Sequence, residues 1–323
     1  MDNQIEKWRV LAFAENVYHL SQQRGSRLSG LVRHESFTGK AEFFDTLGLA
    51  VAQDKSARNS DTPNMNIDHE RRMITTLIKE WGTLVDRKDK LQNIHNPESE
   101  YSVAAQNALG RAMDDVLIKA SLNSAKTGED GSTLVSLPNT QKVASVKDSG
   151  GGAILDYANV QVLRKAKLLM DRAEVMGPRY MIHGADFLEA LLSHTEVTSS
   201  DFNTVKALVN GEVDTFLGFK FIHSEIVSAL NATDYDANAF TFSLAAGSTG
   251  LFSTVSPQGI VSGNKVAVAC VGDGLIWGEN TGGRIARIEE RADKGYSNQV
   301  YTAMDMGGLR MEEVKVVQLY YKA

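Results

Sequence analysis

Gly39-Lys-Ala-Glu-Phe-Phe-Asp-Thr-Leu-Gly-Leu-Ala-Val51 and Met65-Asn-Ile-Asp-His-Glu-Arg-Arg-Met-Ile-Thr-Thr-Leu-Ile-Lys-Glu-Trp81 are two apolar, strand-like stretches on either side of a polar span. In the first, Phe37, Phe43, Phe44, Leu47, Leu49 and Val51 are interrupted by Gly39 and Gly48. The second is dense in Met, Ile and Thr. Residues 52–64 between them carry Asp54, Lys55, Arg58, Asn59, Asp61 and Pro63. Two such stretches joined by a polar tip predict a long β-hairpin over residues 36–90. A two-stranded ribbon is marginal in water by itself, and ordering each residue costs roughly 1.5 kcal/mol. The hairpin therefore lies either on its own domain or on another molecule.

Upstream, Val10, Phe13, Val17 and Leu20 recur at helical spacing, and Gly25 is a plausible stop. This amphipathic segment is either an ordinary core helix or an arm that packs on a partner. Downstream, Asn96 and Pro97 open a helix with Glu98 and Glu100 at its positive end. Val103, Asn107, Gly110, Asp114, Leu117 and Ser121 form one spacing series. Leu109, Met113, Val116, Leu117 and Ala120 form the better apolar stripe. Continued to about Ala125, the helix is roughly 30 residues and about 45 Å long, suited to a structural strut.

Residues 126–152, with Gly128, Gly131, Pro138 and Gly150-Gly151-Gly152, read as a loop or ribbon and a domain boundary. Asp156 is expected to cap a helix to about Glu174, followed by a strand at Arg179–His183, a helix at Ala185–His194 and a strand region at Val213–His223. From Phe240 onward, short β segments alternate with Gly-rich turns and end in Val314–Tyr321.

Composition narrows the function classes. The chain has 323 residues, enough for one large or two ordinary domains. Its 34 basic and 40 acidic residues leave a net charge of −6, so no basic coat for nucleic acid is evident. A single Cys excludes an intrachain disulfide. Asp2, Glu6, Lys7, Arg9 and Glu15 interrupt any signal-peptide core, and no apolar run nears the roughly 20 residues of a membrane span.

Chemical motifs mostly fail. Gly259–Val266 has the wrong spacing for a phosphate loop, Gly272-Asp273-Gly274 reads as a tight turn, and Gly247-Ser248-Thr249-Gly250 is no nucleophile elbow. His19, His34, His69, His95, His183, His194 and His223 show no metal-ligand spacing; His183 and His223 read as satisfied core residues. Cys270, in an apolar run, reads as a buried inert thiol. Asp86-Arg87-Lys88-Asp89 is a solvated turn or a set of intersubunit salt bridges. Asn231-Ala232-Thr233 matches a glycosylation acceptor but is expected to stay unmodified. No catalytic residue, cofactor or metal site is expected.

The order of parts resembles the major capsid proteins of tailed bacteriophages, with the Hong Kong 97 type fold. The resemblance is carried by Asn16–Leu28, Val32, Gly39–Gly48, Leu84–Asp89, Leu109–Asp115, Gly177–His183, Phe187–Leu192, Phe216–Ile222 and Gly307–Arg310. It implies an α+β chain with an N-terminal arm (1–35) and an extended β-hairpin loop (36–90). A peripheral domain with a long spine helix (91–152, completed by 286–323) and an axial domain (153–285) would follow. In such shells the loop lies over the neighbouring subunit, and axial domains meet around five- and six-fold axes.

The implied function is self-assembly into pentamers and hexamers of an icosahedral shell around double-stranded DNA, without sequence-specific binding, catalysis or membrane. The implied location is the virion capsid, after assembly in the host cytoplasm. A separate scaffolding protein is implied because only about 35 residues precede the hairpin; a portal protein and room for a decoration protein follow from the same resemblance. Phe43, Phe44, Met73, Leu77 and Trp81 are the candidate subunit-interface residues, with internal packing as the equal alternative for each. Lys40 and Lys55 carry no sign of cross-linking chemistry. Two other readings remain: a bacterial nanocompartment shell protein of the same fold, and a small-molecule enzyme without a readable motif. An oligomer no larger than a dimer at high concentration would favour the latter.

Overall fold

The computed structural model describes residues 22–55, 58, 65–86, 97–148, 153–193, 215–229 and 264–322. The N-terminal amphipathic segment, Arg87–Asp89, Gly150–Gly152, Asn231–Thr233 and Gly247–Gly250 lie outside them. The chain first forms β1 (Arg33–Phe37), β2 (Ala41–Leu47), β3 (His69–Thr75) and β4 (Leu77–Val85). Helix α1 (Pro97–Leu122) follows, then β5 (Ala125–Thr127), β6 (Thr133–Val135), β7 (Lys142–Ala144), β8 (Val146–Asp148) and β9 (Ala153–Leu155). Helix α2 (Val160–Arg172), β10 (Arg179–His183), α3 (Ala185–Ser193), β11 (Thr215–Phe216), β12 (Phe219–His223) and α4 (Glu225–Ala229) come next. The chain closes with β13 (Asn264–Val271), β14 (Leu275–Arg291), β15 (Ser297–Arg310) and β16 (Val316–Lys322).

A mixed six-stranded sheet has the order β11-β12-β10-β13-β16-β7. Its central strands explain their own apolar runs. Along β13, Val266, Val268 and Cys270 enter one core with α1 and α4, while Ala267, Ala269 and Val271 enter another with α2 and α3. β16 divides likewise, Val316 and Tyr320 from Val317, Leu319 and Tyr321. A strand buried on both faces needs apolar side chains at successive positions, because neighbours point to opposite faces.

A second sheet, β1-β14-β15-β4, packs on α1 and shares the first core through Leu275, Trp277, Met304 and Met306. Residues 286–323, expected to complete the peripheral domain, thus enter two sheets: β15 lies in this one, and β16 in the six-stranded one. A third sheet, β2-β3-β5-β6, carries the hairpin. β2 and β3 pair antiparallel from Ala41↔Thr75 to Leu47↔His69, in line with the sequence pattern. Beyond Thr76 the return strand changes partner: β4 pairs with β15, Leu77 opposite Met306 and Val85 opposite Asn298. The ribbon is therefore shorter than the two apolar stretches, since strand periodicity does not say which neighbour will satisfy the edge.

Helix α1 has 26 residues, about 39 Å at 1.5 Å per residue, and starts at Pro97 as expected. Leu109, Met113 and Leu117 are buried, but so are Asn107, Gly110, Asp114 and Ser121 of the polar series. Helix α2 is capped by Asn159, whose side chain accepts from the Val162 N–H at 3.0 Å, and not by Asp156. Among the described residues no helix is long and apolar enough to cross a membrane.

Candidate assembly surface

The extended loop is anchored at one end and bare at the other. At its root, Phe37 and Ile74 are buried with Ala125, Ile276, Leu309 and Met311, and Phe44 packs against them. Arg72, opposite Phe44 in the ladder, is only 3% exposed and donates to Glu313 at 2.9 Å and to Glu70 at 3.3 Å. Arg310, also buried, donates to the carbonyls of Asn123 at 2.6 Å and Val135 at 3.0 Å and stands 3.9 Å from Glu313. One carboxylate thus faces two buried guanidiniums and ties the loop to the segment before β16. Burial lowers the Arg310 pKa to about 10 against the pull of Glu313. Burial, with Arg310 nearby, lowers that of Lys142 to about 8.

Towards the tip no such core exists among the described residues. Leu47 is 70% and Leu49 92% exposed, and Val51, Met65 and Ile67 are exposed as well. The charges here are solvated: Arg71 pairs with Asp45 at 2.7 Å and lies 5.2 Å over the Phe43 ring. The hydrogen bond from Arg71 holds the Asp45 carboxyl below the usual carboxylate range.

The five candidate interface residues divide between two sheets. Phe43 and Met73 face each other across the β2–β3 ladder, with Phe43 exposed and Met73 half-buried. Phe44 is half-buried against the root core. Leu77, exposed, and Trp81, half-buried, belong to β4. Met73 and Leu77 do share a cavity of about 300 Å³ with Val116, Lys119 and Met306.

Two features escaped the sequence reading. The first is the β14–β15 ribbon. An irregularity between Glu279 and Arg284 interrupts its ladder. Beyond it, among the described residues, Arg284–Arg291 pairs only with β15, and Arg284–Glu290 lies open to solvent, including Ile285 and Ile288. At about 3.3 Å per residue, the 17-residue β14 runs roughly 56 Å, far longer than the short segments expected.

The second is a seat for the neck of the N-terminal arm on α1. The fully buried Asp114 carboxylate accepts from Gln23 Nε2 and Ser26 Oγ, both at 2.5 Å, and from the backbone N–H groups of Arg27 at 3.0 Å and Leu28 at 3.2 Å. Two turns earlier, Asn107 Oδ1 accepts from the Gly25 N–H at 3.2 Å. Arg111 donates to Gln22 Oε1 at 2.8 Å and to the Gln23 carbonyl at 3.1 Å. Gly110 is required between them, because a Cβ there would sit 2.4 Å from the Gly25 carbonyl carbon. The spacing series at Asn107, Gly110 and Asp114 was the available signal, but its partner lies more than 80 residues away.

Among the described residues, packing accounts for Cys270 and His183. Cys270 is buried, and burial pushes its thiol up to about 12. His183 is buried beside Phe187 and Phe221, and burial lowers its pKa. His223, expected in the core, is exposed and pairs with Glu225 at 2.7 Å. It shares a face of β12 with buried Phe219 and half-buried Phe221, and stands at the strand's end where that face runs out to solvent. Gly272–Gly274 forms the expected tight turn, a single 3₁₀ turn between β13 and β14.

The protein-family model described as "Phage capsid protein" matches residues 5–323. No curated protein matches the chain. Among solved structures, the capsid of Helicobacter pylori bacteriophage KHP30 is similar with a TM-score of 0.70 at 10% identity, covering 100% of this chain and 98% of that one. The capsid of Ralstonia phage GP4 is similar with a TM-score of 0.68 at 10% identity, covering 97% and 95%. That of cyanophage P-SCSP1u has a TM-score of 0.67 at 15% identity, covering 99% and 95%.

Proposed function

We propose, because this chain belongs to the phage capsid protein family, that its many copies assemble through the extended loop into pentamers and hexamers of an icosahedral shell around double-stranded DNA. The chain is a structural protein of the virion capsid and not an enzyme. The bare loop tip carries the assembly reading: Leu49, 92% exposed, and its apolar neighbours find no cover within the described residues. Exposed apolar surface of this kind marks an interaction site. Phe43, Phe44, Met73, Leu77 and Trp81 are proposed to contribute at the loop's contacts, directly or by stiffening the two sheets that meet there.

The division into arm (1–35), loop (36–90), peripheral domain (91–152 with 286–323) and axial domain (153–285) is kept as a proposal about roles, as are a separate scaffolding protein, a portal protein and assembly in the host cytoplasm. Heterologous contacts repeated around rings close into a shell. Each contact can be weak because every subunit is held by several at once, which leaves misplaced copies free to dissociate.

Expression of the full chain, alone and with a candidate scaffolding protein from the same genome, tests this by sedimentation velocity and negative-stain electron microscopy. Closed shells or rings are the expected particles. A species no larger than a dimer at high concentration in both arms would sink the reading.

A further inference from the structure

We propose that β2 of one copy adds antiparallel to the open edge of β14 in a second copy, with Glu42 opposite Arg287 and Asp45 opposite Arg284. The proposal rests on the loop-mediated assembly put forward above and names the surface that receives the loop.

Both edges are open among the described residues. β2 ends the order of its sheet, with β3 on one side only. β1 covers the outer edge of β14 only at Ile276–Asn280. From Arg284 to Arg291 that edge has no strand partner, and β15 holds the other side. Open edges present unpaired backbone N–H and C=O groups, which a strand from another chain can satisfy.

The side chains select the register. In Ala41-Glu-Phe-Phe-Asp45 the two acids stand three residues apart, and in Arg284-Ile-Ala-Arg-Ile288 the two bases do the same. One antiparallel register therefore forms both charge pairs together. It sets the large Phe43 opposite the small Ala286 and Phe44 opposite Ile285. Phe43 and Asp45 already share the exposed face of β2, so Ile288, 51% exposed, falls diagonally beside Phe43 on the joint face. A slip of one residue breaks both charge pairs and sets the two acids against Ile288 and Ile285 in one direction or against Ala286 and Gly283 in the other.

Existing contacts do not block this arrangement. Asp45 is paired with Arg71, Arg284 with Glu279 at 3.5 Å, and Arg287 with Glu289 at 3.3 Å, all at exposed or half-exposed positions. Each carboxylate has several lone-pair sites and each guanidinium five donors, so a second partner can be added without losing the first.

Charge reversal tests the pairing under the conditions in which the wild-type chain forms shells. Glu42→Arg with Asp45→Arg, and separately Arg284→Glu with Arg287→Glu, should each lower shell yield at least about tenfold while thermal unfolding of the protomer stays unchanged. Joining all four reversals should restore the yield. In a second measurement, Phe43→Cys with Ala286→Cys should give disulfide-linked dimers and higher ladders within shells, and Phe43→Cys with Glu290→Cys should not. Failure of the fourfold reversal to restore shells from folded protomers, or absence of the 43–286 link in assembled shells, overturns the strand pairing while leaving loop-mediated assembly intact. Absence of wild-type shells instead removes the assembly reading itself, and this pairing with it.

Discussion

The root and the tip of the extended loop are built from the same two strands and are opposites in every physical respect. At the root, Ile74 is buried and Arg72 is sealed against Glu313. A few residues further, Leu47 and Leu49 stand in solvent and the Arg71–Asp45 pair is exposed. Strand pairing alone therefore does not make a core. What differs is the layer behind the ribbon: β5, β14 and β15 back the root through Ala125, Ile276 and Leu309, and nothing in the described chain backs the tip. The root fixes where the loop points; the tip is left to find a surface elsewhere.

The sharpest way to break this contrast is to remove charge at each end. Glu313→Gln should destabilise the protomer by about 4 kcal/mol, because two buried guanidiniums lose their carboxylate. Asp45→Asn should leave the unfolding midpoint unchanged. Chemical denaturation of the two variants checks the pair, and equal effects would abolish the distinction between the ends.

Apolar truncation comes next. Ile74→Ala should cost about 3 kcal/mol by leaving a cavity in the root core. Leu49→Ala should leave protomer stability intact and lower shell yield instead, so thermal unfolding and sedimentation of both variants should move in opposite columns.

The arm's neck makes a third region to set beside these two. Asp114→Ala should cost about 2 kcal/mol, since the buried Leu28 N–H and the half-buried Arg27 N–H lose their acceptor. Proteolysis within residues 22–28 should quicken, whereas cleavage near residue 50 of the loop tip should not change.

The smallest effect concerns pH. The folded pKa of Lys142 lies near 8, below its ordinary 10.5. The unfolded chain therefore holds more protons across that window, and stability rises as pH increases through it. About 1 kcal/mol should be gained between pH 8 and pH 9, and Lys142→Met should abolish the slope. Charges at the loop tip should contribute no comparable slope there.

Much of this architecture was legible locally. Arg179–His183 carries a strand signature and forms β10 with those limits. Pro97 opens α1 because a residue without an N–H suits a helix start. The bare apolar residues of the tip were legible as well, as residues in want of a partner. Two others misled. His223 ends a run of apolar residues yet points to solvent, and Asp156 precedes α2 but the cap is Asn159. Neither is decided by spacing, since the path of the chain between elements sets which polar atom reaches an N–H.

By itself the sequence determined where the long helix opens, the limits of β10, and that the stretches beside residues 52–64 are strands, because periodicity and capping act over a few residues. Only the tertiary structure decided that β4 leaves β3 for β15, that Arg72 meets Glu313, and that Asp114 holds the arm's neck. Those pairings join residues that are distant along the chain. A strand edge, a guanidinium or a carboxylate advertises what kind of partner it needs but not which one the folded chain brings within reach.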